Sequence, residues 1–431
     1  MQPDENTAPA AAATDTARAR AALEQQPAAS LTGSEPTLSR GLVLLFAVAS
    51  GLAVANAYFA HPLLDVMAED FDLPHASTGL IVALTQLGYG LGLVLLVPLG
   101  DLTDRRRLVI WQTLLSVAAL ICVGLSVSGS MLLAAMAAMG FLAVTTQAFV
   151  AYAANIAPPA ERGHIVGIVT SGIVLGILLA RVVAGTLTDI AGWRTVYLLS
   201  ATLTLVIAFL LHRKLPRNIP ETSRDRHSYP KLIVSLLSLF LQEPVLRIRA
   251  VMAMFIFAQI TTLLTPLVLP LGAPPYSLSH TEIGLFGLAG AAGALAASRA
   301  GRWADQGHAQ RTTGIALSLM LLSWLPIALL PHSILWLIAG VLIIDFGLQA
   351  VHVTNQAMIY RVRPEAQSRL TAAYMVFYSI GSAAGSSLST IAYAHAGWTG
   401  VCLQGATIGT LALAFWLATL RSTPMAATRA I

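Results

Sequence analysis

Long apolar runs alternate with short charged clusters along most of this chain. A helix that crosses a bilayer needs about 20 mostly apolar residues. Runs of that kind lie at 41–67, 77–99, 108–127, 131–156, 163–188 and 194–211. They recur at 249–271, 281–299, 312–330, 333–359, 370–394 and 398–420. The pattern predicts an all-α membrane protein with twelve transmembrane helices. Within 108–156 only Ser126 to Ser130 marks a turn. The expected organisation is a disordered tail over 1–39, a six-helix bundle over 40–211, a linker over 212–248, a second bundle over 249–420 and a tail over 421–431. The first tail is rich in Ala, Pro, Thr and Glu and has no apolar face. The first apolar run begins only after Arg40 and reads as a retained helix, not a cleaved signal. Pro216, Pro220 and Pro230 make the start of the linker irregular, and 231–242 is expected to form a helix lying on the membrane surface.

Composition sharpens this picture. Asp, Glu, Lys and Arg make up 10% of the 431 residues and hydrophobic residues 56%, whereas a soluble domain is about 25% charged. A soluble enzyme of this size could not cover so much apolar surface, but lipid solvates it. Of the 25 Lys and Arg, all but Arg181 and Arg194 fall in the tails or in the connections after even-numbered helices. The opposite connections carry acids such as Glu69, Asp70 and Asp72. Basic loops stay in the cytoplasm, so both termini are expected there, at a bacterial inner membrane. The net charge of +5 sits in these clusters and forms no continuous stripe, which argues against a nucleic-acid partner. Cys122 and Cys402 lie far apart inside apolar runs, so neither a disulfide nor a metal framework is expected. The anticipated partners are lipid, a small-molecule substrate and protons, with the chain acting as a monomer and without a cofactor.

The chain also repeats itself. Ala191-Gly192-Trp193 recurs as Ala396-Gly397-Trp398, an offset of 205, and Pro159 recurs as Pro364 at the same offset. Gly100-Asp101-Leu102-Thr103-Asp104 recurs as Gly301-Arg302-Trp303-Ala304-Asp305, an offset of 201. Each landmark falls at the same point of a six-helix unit, which predicts two parallel repeats.

With these residues in view, the stretch from about 40 to 420 resembles the major facilitator superfamily. Gly100 to Arg107 is similar to its signature between helices two and three, without the usual spacer and second glycine, and Gly301 to Arg311 is a degenerate second copy. Gly167, Gly172, Gly176 and Gly185 resemble the glycine-rich helix five of proton-coupled antiporters, with Ser171 where a proline usually precedes the middle glycine. Helix four reads Ala135-Met136-Ala137 where many antiporters carry an arginine. Asn56 to Leu64 resembles the first helix of a bacterial efflux-permease subgroup. The resemblance implies the major facilitator fold and a transporter working by alternating access.

Candidate chemistry concentrates in few places. Asp104 can accept from backbone N–H groups at a neighbouring helix start, and the nearby arginines can bridge to the other half. Gly100, Asp104, Arg105, Arg106, Gly301 and Asp305 are therefore expected to gate the cytoplasmic side, although membrane anchoring also explains the arginines. In helix ten, Asp345, Gln349, His352 and Gln356 lie within ~60° of one another on one helical face. A carboxylate at mid-bilayer depth costs ~2.5–3.5 kcal/mol. Asp345 is therefore expected to face a cavity and carry protons or pair with substrate, with His352 as a proton relay or acceptor; a structural hydrogen bond is the bland reading of either. Arg181, the charge inside span five, can bind an anionic group, pair with Asp345 or snorkel outward. Asn56, Tyr58 and His61 in helix one, with Asp65 on the face of Tyr58, are joined as pocket candidates by Gln86, Tyr89, Gln147, Gln259, Tyr374 and Tyr378. Pro62 frees a backbone carbonyl in helix one. Gln147 and His352 coincide at the 205 offset. The four-residue glycine spacings have a packing explanation, because small residues let helices approach closely.

Proton-driven efflux of a small organic molecule is the leading expectation, with proton-coupled or facilitated uptake of a small metabolite such as a sugar or nucleoside as the alternative. No nucleotide-binding loop accompanies the helices, so an ion gradient is the remaining driving force. An intramembrane protease would need paired aspartates or a His-Glu-x-x-His arrangement, and the sequence has neither. A sensor would carry a folded soluble domain, for which the tails are too short and polar.

Overall fold

A computed structural model describes residues 39–158, 161–215, 229–363 and 366–422. Pro159, Pro364, most of both expected tails and linker residues 216–228 lie outside the described residues. The described chain is helical throughout. Its main helices are α1 Arg40–Ala55, α2 Gly79–Leu95, α3 Arg105–Gly124, α4 Gly129–Ala143, α5 Thr145–Ile156, α6 Arg162–Ala191 and α7 Trp193–Lys214. After the linker come α8 Tyr229–Gln242, α9 Pro244–Leu264, α10 His280–Leu285, α11 Gly290–Asp305, α12 Ala309–Leu322, α13 Ile334–Val362 and α14 Gln367–Thr419. Among the described residues nine helices are long and apolar enough to cross a membrane.

Four expected spans differ from simple rods. The first breaks after Ala55 and resumes as a 3₁₀ turn, His61–Leu63, and a short helix, Leu64–Glu69. Pro62 is the cause, since it lacks an N–H and its ring displaces the carbonyl of Tyr58. His61 Nδ1 takes up that carbonyl at 3.3 Å. The eighth is interrupted by a 3₁₀ turn at Phe286–Ala289. The last two expected spans run through α14, whose backbone leaves helical geometry at Ala396 and Gly397. Gly397 there has φ +58°, and Gly192, between α6 and α7, has φ +84°. Both copies of the Ala-Gly-Trp landmark thus make a sharp reversal at the glycine, a conformation L side chains resist. The turn expected near Ser126–Ser130 lies between α3 and α4, where Ser128 caps α4 by accepting from Met131 N (3.2 Å).

Glycine contacts hold each half together. A methyl carbon placed on Gly172 or Gly176 of α6 would lie 2.3 Å from Ala47 O or 2.2 Å from Gly51 O of α1. In the second half, Gly381 and Gly385 of α14 press equally close on Met254 O and Ala258 O of α9. The packing explanation of these glycines therefore holds. Outward of these seams the surface is apolar, with Leu179, Phe209, Leu335 and Leu403 exposed. That surface suits hydrocarbon as solvent.

The linker helix α8 is amphipathic. Leu236 and Leu239 are buried, Phe240 stacks on Phe377 of α14 (4.8 Å, 17°), and Val234, Leu237 and Leu241 face outward. Tyr229 at its start donates to Leu95 O at the end of α2 (2.7 Å).

Candidate functional site

The two halves meet tightly at one end of the bundle. A methyl carbon on Gly185 of α6 would lie 2.1 Å from His280 O, and one on Gly284 of α10 would lie 2.4 Å from Arg181 O. On the opposite flank, Gly79 of α2 touches Ser386 of α14, whose Oγ donates to Gly79 O (2.9 Å). Thr390 Oγ1 donates to Ala76 O nearby (3.1 Å). A polar clasp completes this end. His280 Nδ1 lies 2.9 Å from Asp189 Oδ1 and Nε2 lies 3.2 Å from Asp65 Oδ2. Thr281 donates to Asp189 Oδ2 through its backbone N (2.8 Å) and Oγ1 (2.6 Å). The hydrogen bond to Asp65, opposed by partial burial and reinforced by the charges of Asp65 and Asp189, raises the His280 pKa to about 9. The ring is therefore a cation held between two carboxylates at neutral pH.

The other end is splayed. Contact between α6 and the α10–α11 segment continues down to Leu178 against Gly290, beyond which Gly293 packs on Gln349 of α13 instead. Gly163 and Gly167 of α6 have open space beside them. A cavity of about 330 Å³ opens at this end, lined by Gly100, Arg105, Gln147, Asn155, Arg162 and, from the second half, Ser368, among others.

Between the two ends lies a polar and aromatic layer. Tyr58 and Tyr378 share a hydrogen bond (2.9 Å) across the halves, 320 residues apart. Arg181 lies over the Tyr58 ring at 5.7 Å. Its Nε is buried without a hydrogen-bond partner among the described residues. Asp345, 8% exposed, is its electrostatic neighbour from the other half, without an ion pair closing between them. From Tyr378 the aromatic chain continues to Phe257 (4.1 Å), to His352 (5.3 Å) and to Tyr374 (5.6 Å). Tyr89 meets Tyr378 edge-on (6.3 Å) and accepts from Gln147 Nε2 (3.5 Å), while Gln86 sits buried beside Tyr378.

The sequence candidates divide accordingly. Tyr58, His61, Gln86, Tyr89, Gln147, Arg181, Asp345, His352, Tyr374 and Tyr378 are brought into this layer. Gln349 packs against Gly293 and Gln356 is half-buried on the same helix. Two candidates turn elsewhere. Asn56 accepts from Ser200 Oγ (2.6 Å) inside the first half, and Gln259 accepts from Trp324 Nε1 (3.2 Å) inside the second. Helical phase alone could not say which neighbour either amide would find. In the loop signature, Asp104 caps α3 by accepting from Arg106 N (2.9 Å) and Arg107 N (3.4 Å). Arg105 Nε donates to Gly100 O (3.0 Å), and Arg106 reaches His212 O (2.8 Å) and Leu215 O (3.3 Å) at the end of α7. These bonds join helix ends of the first half. Gly301 lies within α11, and the Asp305 side chain is outside the described residues. Arg194 pairs with Asp70, which also accepts from Trp193 Nε1 (2.7 Å).

Comparison with known proteins decides the family. The model of the Major Facilitator Superfamily matches residues 45–354 and again 268–430. The chain belongs to the Major Facilitator Superfamily. It is 46% identical over 386 residues to the uncharacterized transporter YgaY of Escherichia coli O157:H7, covering 90% of this chain and 97% of that protein. It is 23% identical over 388 residues to a protein named probable sugar efflux transporter in Haemophilus influenzae, covering 88% and 92%. The solved structure of a bacterial homologue of the human lysosomal transporter Spinster, inward-facing and unoccupied, superposes with a TM-score of 0.73 at 15% identity, over 91% of this chain and 98% of that one. This superfamily member is thus a multi-pass membrane transporter.

Several of its structured polar groups escaped the sequence reading. His280 and Asp189 were not singled out, although Ser279-His280-Thr281-Glu282 carries the Ser-x-x-Glu signal of a capped helix start, and the capping box is present. Arg249, which its place in the sequence assigns to the basic cytoplasmic cluster, is 1% exposed.

Proposed function

We propose that this transporter exports a small, hydrogen-bonding organic molecule in exchange for protons, by alternating access, as twelve spans in two parallel six-helix repeats. Both termini face the cytoplasm of a bacterial inner membrane, so the clasped end is the outer one and the splayed end opens inward. One observation carries this reading. Asp345 and Arg181 approach from opposite halves directly beneath the sealed end, close enough to interact but not paired. A carboxylate so placed has two favourable states: neutral with a proton, or charged when Arg181 moves to it. Switching between them couples proton movement to the relative position of the halves. Asp345 is the proton carrier in this scheme. Tyr58, Tyr89, Gln147, His352, Tyr374 and Tyr378 supply stacking surfaces and hydrogen bonds for substrate. Such walls suit a hydroxylated ligand, and the name of the Haemophilus influenzae relative, with its sugar and its outward direction, supports both substrate class and export.

Uptake remains the second reading, favoured by the Ala135-Met136-Ala137 stretch where many antiporters carry an arginine. Vesicles of known sidedness with an imposed pH gradient separate the two, using a panel of radiolabelled sugars and nucleosides. Export predicts accumulation against the proton gradient in wild type. Asp345→Asn should abolish pH-driven accumulation while leaving substrate exchange measurable. Accumulation in Asp345→Asn equal to wild type would refute the role of Asp345.

A further inference from the structure

Arg249 at the start of α9 is a buried cation that no carboxylate meets among the described residues. Its Nε has no hydrogen-bond partner among the described residues. A charge removed from water without a counter-charge is strongly unfavourable, so its contacts need an account. A guanidinium can only donate. Nη1 donates to Thr313 Oγ1 and to Asn355 Oδ1, both at 3.2 Å. Thr313 points its own hydrogen at Ala309 O (2.9 Å), leaving its oxygen free to accept.

The donor-only character of Arg249 then propagates. It fixes the amide oxygen of Asn355 towards itself and turns Nδ2 to the Tyr374 hydroxyl (3.4 Å). The phenol oxygen accepts there, so its own hydrogen goes to the remaining neighbour, His352 Nδ1 (3.0 Å). Nδ1 must be the acceptor, and the neutral ring carries its hydrogen on Nε2. Phe257 covers one edge of the ring, and Nε2 has no partner among the described residues. Protonating Nδ1 would strand the Tyr374 hydrogen without an acceptor, so the network opposes the proton-carrying role expected of His352. His61 shows the opposite arrangement, since its Nδ1 faces the Tyr58 carbonyl and must donate.

We propose that Arg249 is a positioning residue for the transport site: through Asn355 and Tyr374 it holds His352 as the neutral Nε2–H tautomer, so that the ring offers a hydrogen-bond donor to a substrate oxygen. The donor role rests on the reading of the central layer as the substrate site, whereas the tautomer does not. Ring ¹⁵N spectra of histidine-labelled full-length protein in lipid bilayers read the tautomer, with His352 assigned by difference from His352→Gln.

Wild type should show a protonated Nε2 and a bare Nδ1. In Asn355→Asp the carboxylate accepts from both Arg249 and Tyr374, which frees the phenol oxygen to accept from the ring. The protonated nitrogen should then switch to Nδ1. Arg249→Met should give a mixture; if that variant does not fold, Asn355→Asp carries the test alone, because its arginine gains a carboxylate partner. Loss of the Nε2–H donor should raise the half-saturating substrate concentration about tenfold, the usual cost of an unmet buried hydrogen bond. A wild-type Nδ1–H, or an unchanged spectrum in Asn355→Asp, overturns the positioning role. An inverted tautomer with unaltered half-saturation overturns the donor role. Absence of pH-driven flux in wild type counts against proton-coupled export only, and the ring spectra still decide the network.

Discussion

The clasped and splayed ends of the bundle are sealed by different means. At the clasped end, main chains of opposite halves touch at Gly79, Gly185 and Gly284, and a histidine sits between Asp65 and Asp189. At the splayed end the conspicuous charges, Asp104, Arg105 and Arg106, tie together helix ends of the first half. The clasped end thus joins backbone contact to a charged clasp. Where glycines align, the halves approach to backbone contact. Where they face open space, as at Gly163 and Gly167, the halves part.

The sharpest break of this contrast is Gly185→Val. Its Cβ would collide with the carbonyl of His280, and backbone cannot yield as a side-chain tip can. We expect loss of closure at that end and at least a tenfold fall in flux, checked by spin-label distances across α6 and α10. The matched change Gly167→Val at the splayed end should leave both flux and distances unaltered. Wild-type flux in Gly185→Val would show that the glycine contact is dispensable.

The clasp predicts a pH effect of intermediate size. When the end opens, His280 leaves both carboxylates and its pKa returns towards 6.5 from about 9. The closed form therefore binds the proton more tightly. Its advantage is full below about 6.5, declines as pH rises and is gone above about 9. The fraction of closed molecules, read from the same distances, should fall between pH 7 and pH 10. In His280→Gln that dependence should vanish, and a persistent slope would assign the effect to another group.

Asp104 should give the smallest change. Asp104→Ala removes the cap of α3 and should cost about 1 kcal/mol of stability, seen as a lowered Tm in detergent. Asp104→Asn keeps a capping oxygen, so its Tm should stay close to wild type. If Asp104 also gates, flux in Asp104→Asn will still slow; normal flux would reduce the residue to a cap.

Much of the scaffold was legible in the sequence because it obeys local rules. The paired Ala-Gly-Trp landmarks, the turn at Ser126–Ser130 and the four-residue glycine seams each follow from backbone geometry or close packing. Pro62 correctly announced a freed carbonyl. The contacts that define the site were harder to read, for identifiable reasons. Asp65, Asp189 and His280 converge only once the halves meet, and their separation in sequence gives no hint. Arg249 begins an apolar run, where a basic residue looks like a loop anchor until burial shows otherwise. Asn56 and Gln259 share the composition of cavity residues, yet their side-chain oxygens accept from donors within one half.

The helix α8 carries a consequence for how far the mouth can travel. Its first residue is hooked to a carbonyl of α2, and its far end lies flat against a phenylalanine of α14. Relative movement of the two halves would act on these two contacts. Stacked rings can glide over one another with little penalty, whereas a directional bond to a carbonyl is lost within a fraction of an ångström. Leu239 is buried in one cluster with Leu246, Ile359 and Leu370, so α8 belongs to the second half, and the Tyr229 bond to Leu95 O ties it to the first.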